Sequence, residues 1–212
     1  MDKQKGKNND TNFVIVVGRQ YGSGGRRIGK MLADALSVSY YDKTLLSEAA
    51  RSLGYSSDIF ERADEKRPSV LRSLLSFSYG ATNSGYGDSA MSDENLYAFQ
   101  SKVIKDICSR ESCVIVGRTA DYVMRHHPRI ISIFIHAPLE ARTNHVLKRE
   151  KEVDSADKAV ALIKKMDRSR EAYYNYYTNR NWGHCSNYHF SFDSTKFTDE
   201  AIIATVKAAL NL

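Results

Sequence analysis

Apolar residues in this chain come in short blocks separated by longer amphipathic stretches. Phe13–Val17 (FVIVV) is a β-branched run too short for a helix, and it predicts a strand buried on both faces. After a glycine-rich stretch, Ile28, Met31, Leu32, Ala35 and Leu36 recur at helical spacing. Residues 38–42 (VSYYD) predict a second strand, and residues 43–66 return to helical spacing. Residues 76–93 are rich in Ser, Gly and Asn and show no period, which predicts a loop or a mobile lobe tip. Helical spacing resumes near Glu94, with Phe99, Val103, Ile104 and Ile107 on one face. Cys113–Val116 is the next buried strand and runs into GRTAD and a short helix; RIISIFIHAP is another. Leu139–Glu150, and Asp157 to about Tyr177, are amphipathic helices. Tyr188–Asp193 alternates as a last strand, and Thr198–Leu210 closes the chain as a helix.

Strands alternating with helices predict an α/β fold. The expected form is three layers, a parallel sheet of about five strands with helices on both faces. Residues 1–12 are polar and expected to be a mobile arm; residues 13–212 form one domain. The long, mostly helical gap between the second and third strands reads as an insertion lobe.

Composition narrows the class. Apolar residues make up 42% and charged residues 26%, with three prolines and twelve glycines, which excludes collagen-like and wholly disordered chains. No apolar run nears the ~20 residues of a spanning helix, and MDKQKGKNND lacks the apolar stretch of a secretory signal. Cys108, Cys113 and Cys185 neither make a disulfide framework nor carry zinc-ligand spacing. His184 and Cys185 are adjacent, poor geometry for a metal. A reducing, cytoplasmic location is the expectation. The net charge of +6 comes from 31 basic and 25 acidic residues and suits a phosphorylated partner. No Lys/Arg stripe or base-reading motif points to a nucleic-acid polymer.

The chemistry concentrates after the first strand. Gly18, Gly22, Gly24 and Gly25 fall within eight residues, between a strand and a helix. Glycines let a backbone aim several N–H groups at one anion, and the helix that follows adds the positive end of its dipole. The alternative is a tight structural turn. The usual phosphate loop, G-x-x-x-x-G-K-S/T, is not matched. The spacing from Gly18 to Gly24 is one residue too long, Gly25 stands in the lysine's place, and Arg26 and Arg27 replace the magnesium-holding hydroxyls. Arg26 or Arg27 could supply a cation, although arginine and lysine differ in geometry; Ser23 could supply a hydroxyl.

GRQYGSGGRRIGKMLADAL followed by YYDK resembles the cytidylate kinase-like family, a branch of the P-loop nucleoside monophosphate kinases. CVIVGRTADYVMR, IFIHAPLEAR, and DRSREAYYNYY with WGHCSNYHF agree in order, so the resemblance spans about residues 13 to 210. It implies an acceptor-binding lobe over residues 43–105 and a lid over about 167–186. It also implies transfer of the γ-phosphoryl group of ATP to a nucleoside monophosphate, cytidylate first, with magnesium bridging the donor phosphates. Another small phosphate acceptor, or a nucleotide-binding module without transfer, are the alternatives.

Phosphoryl transfer needs positioning and positive charge. The resemblance gives Arg118, just past a strand, a contact to the nucleoside monophosphate; a structural ion pair is the alternative. Asp121 pairs with it or meets base or sugar. Asp42, with Lys43 after it, faces the acceptor or caps a helix. Arg170, on one helix face with Tyr173, Tyr174 and Tyr177, is the preferred lid arginine, and Arg168 the second choice. The tyrosines pack or stack on a base. Arg142 is a phosphate clamp or a surface charge, and Gln100 a weak candidate for base recognition. Arg26, Arg27, Arg118 and Arg170 are thus the candidate catalytic set; Gly18, Gly22, Ser23, Gly24 and Gly25 would hold the donor, and Asp42, Arg118 and Asp121 the acceptor. No metal-holding side chain is assigned.

Overall fold

Valines and isoleucines on both faces of Val14–Val17, each at most 1% exposed, place the first strand at the centre of the molecule. A computed structural model describes residues 12–42, 44–45 and 93–212; most of the expected arm and of the 43–105 lobe lies outside the described residues. In chain order the elements are β1 (Val14–Arg19), α1 (Gly25–Leu36), β2 (Ser39–Tyr41), α2 (Asp93–Arg110) and β3 (Cys113–Val116). They continue as α3 (Ala120–Val123), β4 (Ile130–His136), α4 (Leu139–Arg149), α5 (Ala156–Thr178), β5 (Phe190–Asp193) and α6 (Asp199–Ala209). A 3-10 turn at Cys185–Asn187 precedes β5.

The five strands form one parallel sheet in the order β2-β3-β1-β4-β5. Two apolar layers cover it. Ile15, Val17, Val114, Val116, Ile133 and Ile135 pack on one side with Ile28 and Leu32 of α1 and Ile202 and Val206 of α6. Val14, Val16, Cys113 and Ile115 pack on the other with Val103, Ile104 and Ile107 of α2 and Ala120 and Val123 of α3. This is the expected three-layer α/β arrangement. Each fully buried aliphatic side chain contributes about 1.5–3 kcal/mol, so the paired layers fix the sheet firmly beneath its edge.

The strand order reverses at β1, which lies between β3 and β4. In open parallel sheets the crevice for ligands lies beyond the carboxyl ends of the strands at such a reversal. The glycine-rich stretch leaves β1 at that point. Among the described residues, no helix is long and apolar enough to cross a membrane.

Candidate active site

The turn from β1 into α1 depends on two glycines. Gly22 and Gly24 both have φ of +80°, a backbone region costly for other residues. Gly24 caps α1, whose first turn carries no acidic residue to compete for its dipole. Among the described residues, a side chain added at Gly24 would meet the Arg27 Nη2, at 3.6 Å, and nothing else within 4 Å. On that side the loop is uncovered by the described residues. The backs of its neighbours are filled: Gly18 lies against Phe134 and Tyr188, and Gly22 against the Arg142 carbonyl. Ser23 is buried, and its hydroxyl donates inward, to the carbonyl of Gln20 (2.9 Å) or Ile135 (3.0 Å). It staples the loop to β4 rather than facing outward.

Four arginines gather at this edge. Arg19 ends β1, and its guanidinium crosses toward β3, filling the space in front of Gly117. Burial, then the charges of Arg170, Arg118 and Arg26, pull Arg19 down to about 9. Arg118 stands directly after Gly117, in a left-handed turn that it shares with Thr119 (φ 59° and 52°). Two successive non-glycine residues in that region cost about 1–3 kcal/mol each, and the turn leaves Arg118 at the sheet edge beside Tyr173. Arg170 reaches in from α5, donates to the Arg19 carbonyl at 3.1 Å, and lies 5.3 Å from the centre of the Tyr21 ring. Arg168 is exposed.

Arg26 and Arg27 diverge from the first turn of α1. Arg26 pairs with Asp42, which raises it, and neighbours Tyr40. Arg27 pairs with Asp199 at the start of α6. Asp42 has both oxygens engaged: Oδ1 accepts from the backbone N–H groups of Thr44 (3.1 Å) and Leu45 (3.2 Å), and Oδ2 from Arg26. It is a cap and an ion-pair partner at once; Lys43 lies outside the described residues. Asp121 is buried, which pushes its carboxyl up, and accepts from the Tyr174 hydroxyl at 2.7 Å. The hydroxyl of Tyr40 is buried without a hydrogen-bond partner among the described residues, next to Arg26 and Arg19.

The loop is gripped from behind by α4 and α5. Asp167 Oδ1 accepts the Tyr21 backbone N–H at 2.7 Å, and Oδ2 accepts from Arg142 at 2.6 Å, while Arg142 also donates to the Tyr21 carbonyl at 3.3 Å. Arg142 is buried here and is part of this clamp. The Tyr21 hydroxyl donates to Glu150 at 2.8 Å. Tyrosines of α5 pack against α2: Tyr177 stacks on Tyr97 at 4.0 Å, and Tyr173 donates to Gln100 at 3.0 Å. Residues 167–178, the first part of the expected lid, belong to the unbroken helix α5.

A cleft of about 530 Å³ opens on the other side of the loop, lined by Gln20, Phe134, His136, Pro138, Trp182 and Asp193. The Phe134 and Trp182 rings meet edge to face at 5.4 Å. Among the described residues no three His, Cys, Asp or Glu side chains lie together as a metal site. Magnesium keeps several waters and binds through substrate phosphates with one or two carboxylates, so its binding asks for no such cluster. Sequence reasoning missed Arg19 and Tyr21. Their signal was their position inside the glycine-rich stretch.

Comparison with known proteins follows this geometry. The profile of the cytidylate kinase-like family matches residues 14–196. A protein named cytidylate kinase from Methanosarcina barkeri (strain Fusaro) is 28% identical over 197 residues, covering 93% of this chain and 96% of the relative. The crystal structure of an uncharacterized protein from Eubacterium ventriosum superposes with a TM-score of 0.70 at 25% identity, covering 94% of this chain and 99% of the other. Shikimate kinase from Bacteroides thetaiotaomicron shares the fold, with a TM-score of 0.52 at 12% identity and coverage of 94% and 99%.

Proposed function

The chain belongs to the cytidylate kinase-like family, and on that premise we propose that it transfers the γ-phosphoryl group of ATP to a nucleoside monophosphate, with cytidylate the favoured acceptor. The observation that carries this reading is the gathering of Arg26, Arg118 and Arg170 around Arg19, at the end of β1 where the glycine loop begins. Cations crowded together at a sheet edge repel one another, and an anion placed among them relieves that repulsion. A phosphoryl group moving between two nucleotides spreads charge over its equatorial oxygens and needs positive groups on several sides.

The two flanks of β1 serve the two substrates in this reading. On the β4–β5 flank, the cleft lined by the packed pair Phe134 and Trp182 takes the donor's base, because an aromatic wall suits a flat ring. On the β2–β3 flank, Arg118 and the Arg26–Asp42 pair face the acceptor phosphate and sugar. Gly22 and Gly24 let the loop N–H groups hold the donor's phosphates. Arg170 adds charge where it develops and helps to exclude water. Magnesium, when bound, bridges donor oxygens and neutralises their charge. We place the protein with ATP, magnesium and a nucleoside monophosphate as its ligands, in the cytoplasm.

A panel of nucleoside monophosphates with ATP and magnesium tests the acceptor. The expected result is that cytidylate gives the highest kcat/KM for ADP formation. A higher value for shikimate, gluconate or a purine monophosphate contradicts the assignment.

A further inference from the structure

We propose that Arg19 takes the place of the missing phosphate-loop lysine, delivering its charge from the end of β1 across the loop instead of from the start of α1. This deepens the transfer reading above and rests on it.

Space is the first argument. The lysine of the usual loop would grow from residue 25. Here a Cβ at Gly25 would lie 2.5 Å from the Arg19 Cβ and 3.1 Å from its Cγ. The stem of Arg19 thus fills the ground that a lysine at 25 would need, so the two arrangements exclude each other. A Cβ at 25 would also lie 3.2 Å from the Ile135 Cβ, so the glycine there matches a cation placed at 19. Direction is the second. The Arg19 guanidinium lies where a side chain at residue 117 would begin, with Cζ 3.1 Å and Nη2 3.4 Å from that point. Gly117 therefore keeps a lane open from β1 to the Arg118 turn, along the carboxyl edge of the sheet. A cation in that lane stands between the loop and the acceptor flank, where a transferring phosphoryl group passes.

Charge is the third. The guanidinium is pressed by Arg170, Arg118 and Arg26. Evolved proteins keep such repulsion where a ligand cancels it, at some cost to the empty fold. Arginine's planar fork can hold two phosphate oxygens in one fixed geometry, whereas a lysine ammonium acts as a point charge.

Arg19→Met and Arg19→Gln test the assignment, each uncharged and each near the original length; whichever folds decides. Two readouts are needed: binding of inorganic tripolyphosphate by calorimetry, and ADP formation with cytidylate. The expected result is tripolyphosphate affinity weakened at least about tenfold and kcat lowered about 10²–10³-fold, as for other lost transition-state donors. The empty variant should melt at or above the temperature of the parent, because a crowded charge is gone. Parent-like affinity and kcat in either folded variant overturn the proposal. A parent that binds tripolyphosphate but makes no ADP with any acceptor refutes the transfer reading, and the binding arm then decides Arg19 alone. A parent that does not bind tripolyphosphate refutes both. A rescue arm is specific to the mechanism. Gly25→Lys alone should bind tripolyphosphate no better than the parent, whereas Arg19→Gly combined with Gly25→Lys should bind it at least tenfold better than Arg19→Gly alone. Absence of that difference counts against the exchange of positions.

Discussion

Gly24 and Gly25 stand side by side but are glycines for different reasons. Gly24 has a positive φ and only Arg27 in front of it among the described residues, whereas Gly25 is backed by the stem of Arg19. Gly24→Val is therefore the cleaner test of the loop. It should abolish tripolyphosphate and ATP binding while costing the fold only the strain of a side chain at positive φ, about 1–2 kcal/mol. ATP titration and thermal melting check this; unchanged ATP affinity would mean that the open face is not the anion site. Gly25→Val pushes Arg19 aside and confounds loop with cation. The adjacent arginines should also separate. Arg26→Ala, on the β2 flank with Asp42, should change the acceptor KM, and Arg27→Ala, beside Asp199, the donor KM. Loss of one charge-assisted contact is about 1.5–3 kcal/mol, or roughly 10–100-fold. Steady-state kinetics with each substrate varied gives the answer, and identical effects of both changes on one constant contradict the division into flanks.

At the scale of elements, α5 is the piece that joins the loop to the rest of the site. Arg170 and Asp167, one turn apart, hold the chain on either side of Gln20, at the Arg19 carbonyl and the Tyr21 N–H. Because α5 is unbroken from Ala156, a motion that opens Arg170 away from the phosphates carries the helix with it. We expect Arg118→Ala to raise the acceptor KM, as loss of a contact already made in the ground state does. Arg170→Ala should lower kcat by about 10²–10³-fold with little change in acceptor binding, as loss of a contact realised in the transition state does. A full kcat in Arg170→Ala removes α5 from the mechanism. The elements themselves were legible in the sequence. The spacing predicts a helix over Asp157 to about Tyr177, and it spans Ala156–Thr178; the apolar run predicts a strand over Cys113–Val116, with the bounds observed. Burial on two faces or one face writes its period directly into the chain. The clamp was not legible, because it joins Tyr21 to Asp167 across 146 residues, and no local pattern reports a contact so distant in sequence. Arg19 was hidden for a related reason: its role depends on Gly25 and Gly117, which meet it only in the folded sheet. The hydroxyl of Ser23 was read as available, and it turns inward because β4 offers it a carbonyl.

Across the whole molecule, the surplus of +6 acquires a direction at the carboxyl edge of the sheet. His145 on α4 sits in a different basic neighbourhood, where burial, then Arg149, Arg27 and Lys148, hold it below its ordinary value. A histidine lowered in the folded state supports the fold fully above its unfolded value of about 6.5. That support is lost as pH falls through the lower folded value. The melting temperature should therefore decline from about pH 6.5 downward, and His145→Gln should shrink that decline. An equal decline in the variant would show that His145 is not among the groups responsible. The central claim is that phosphate moves from one nucleotide to another at the arginine-lined edge. ATP labelled in its γ-phosphate, incubated with magnesium, cytidylate and the protein, tests it most directly. The account predicts labelled cytidine diphosphate in amounts equal to the ADP formed; label found only in inorganic phosphate, or left in ATP, contradicts it.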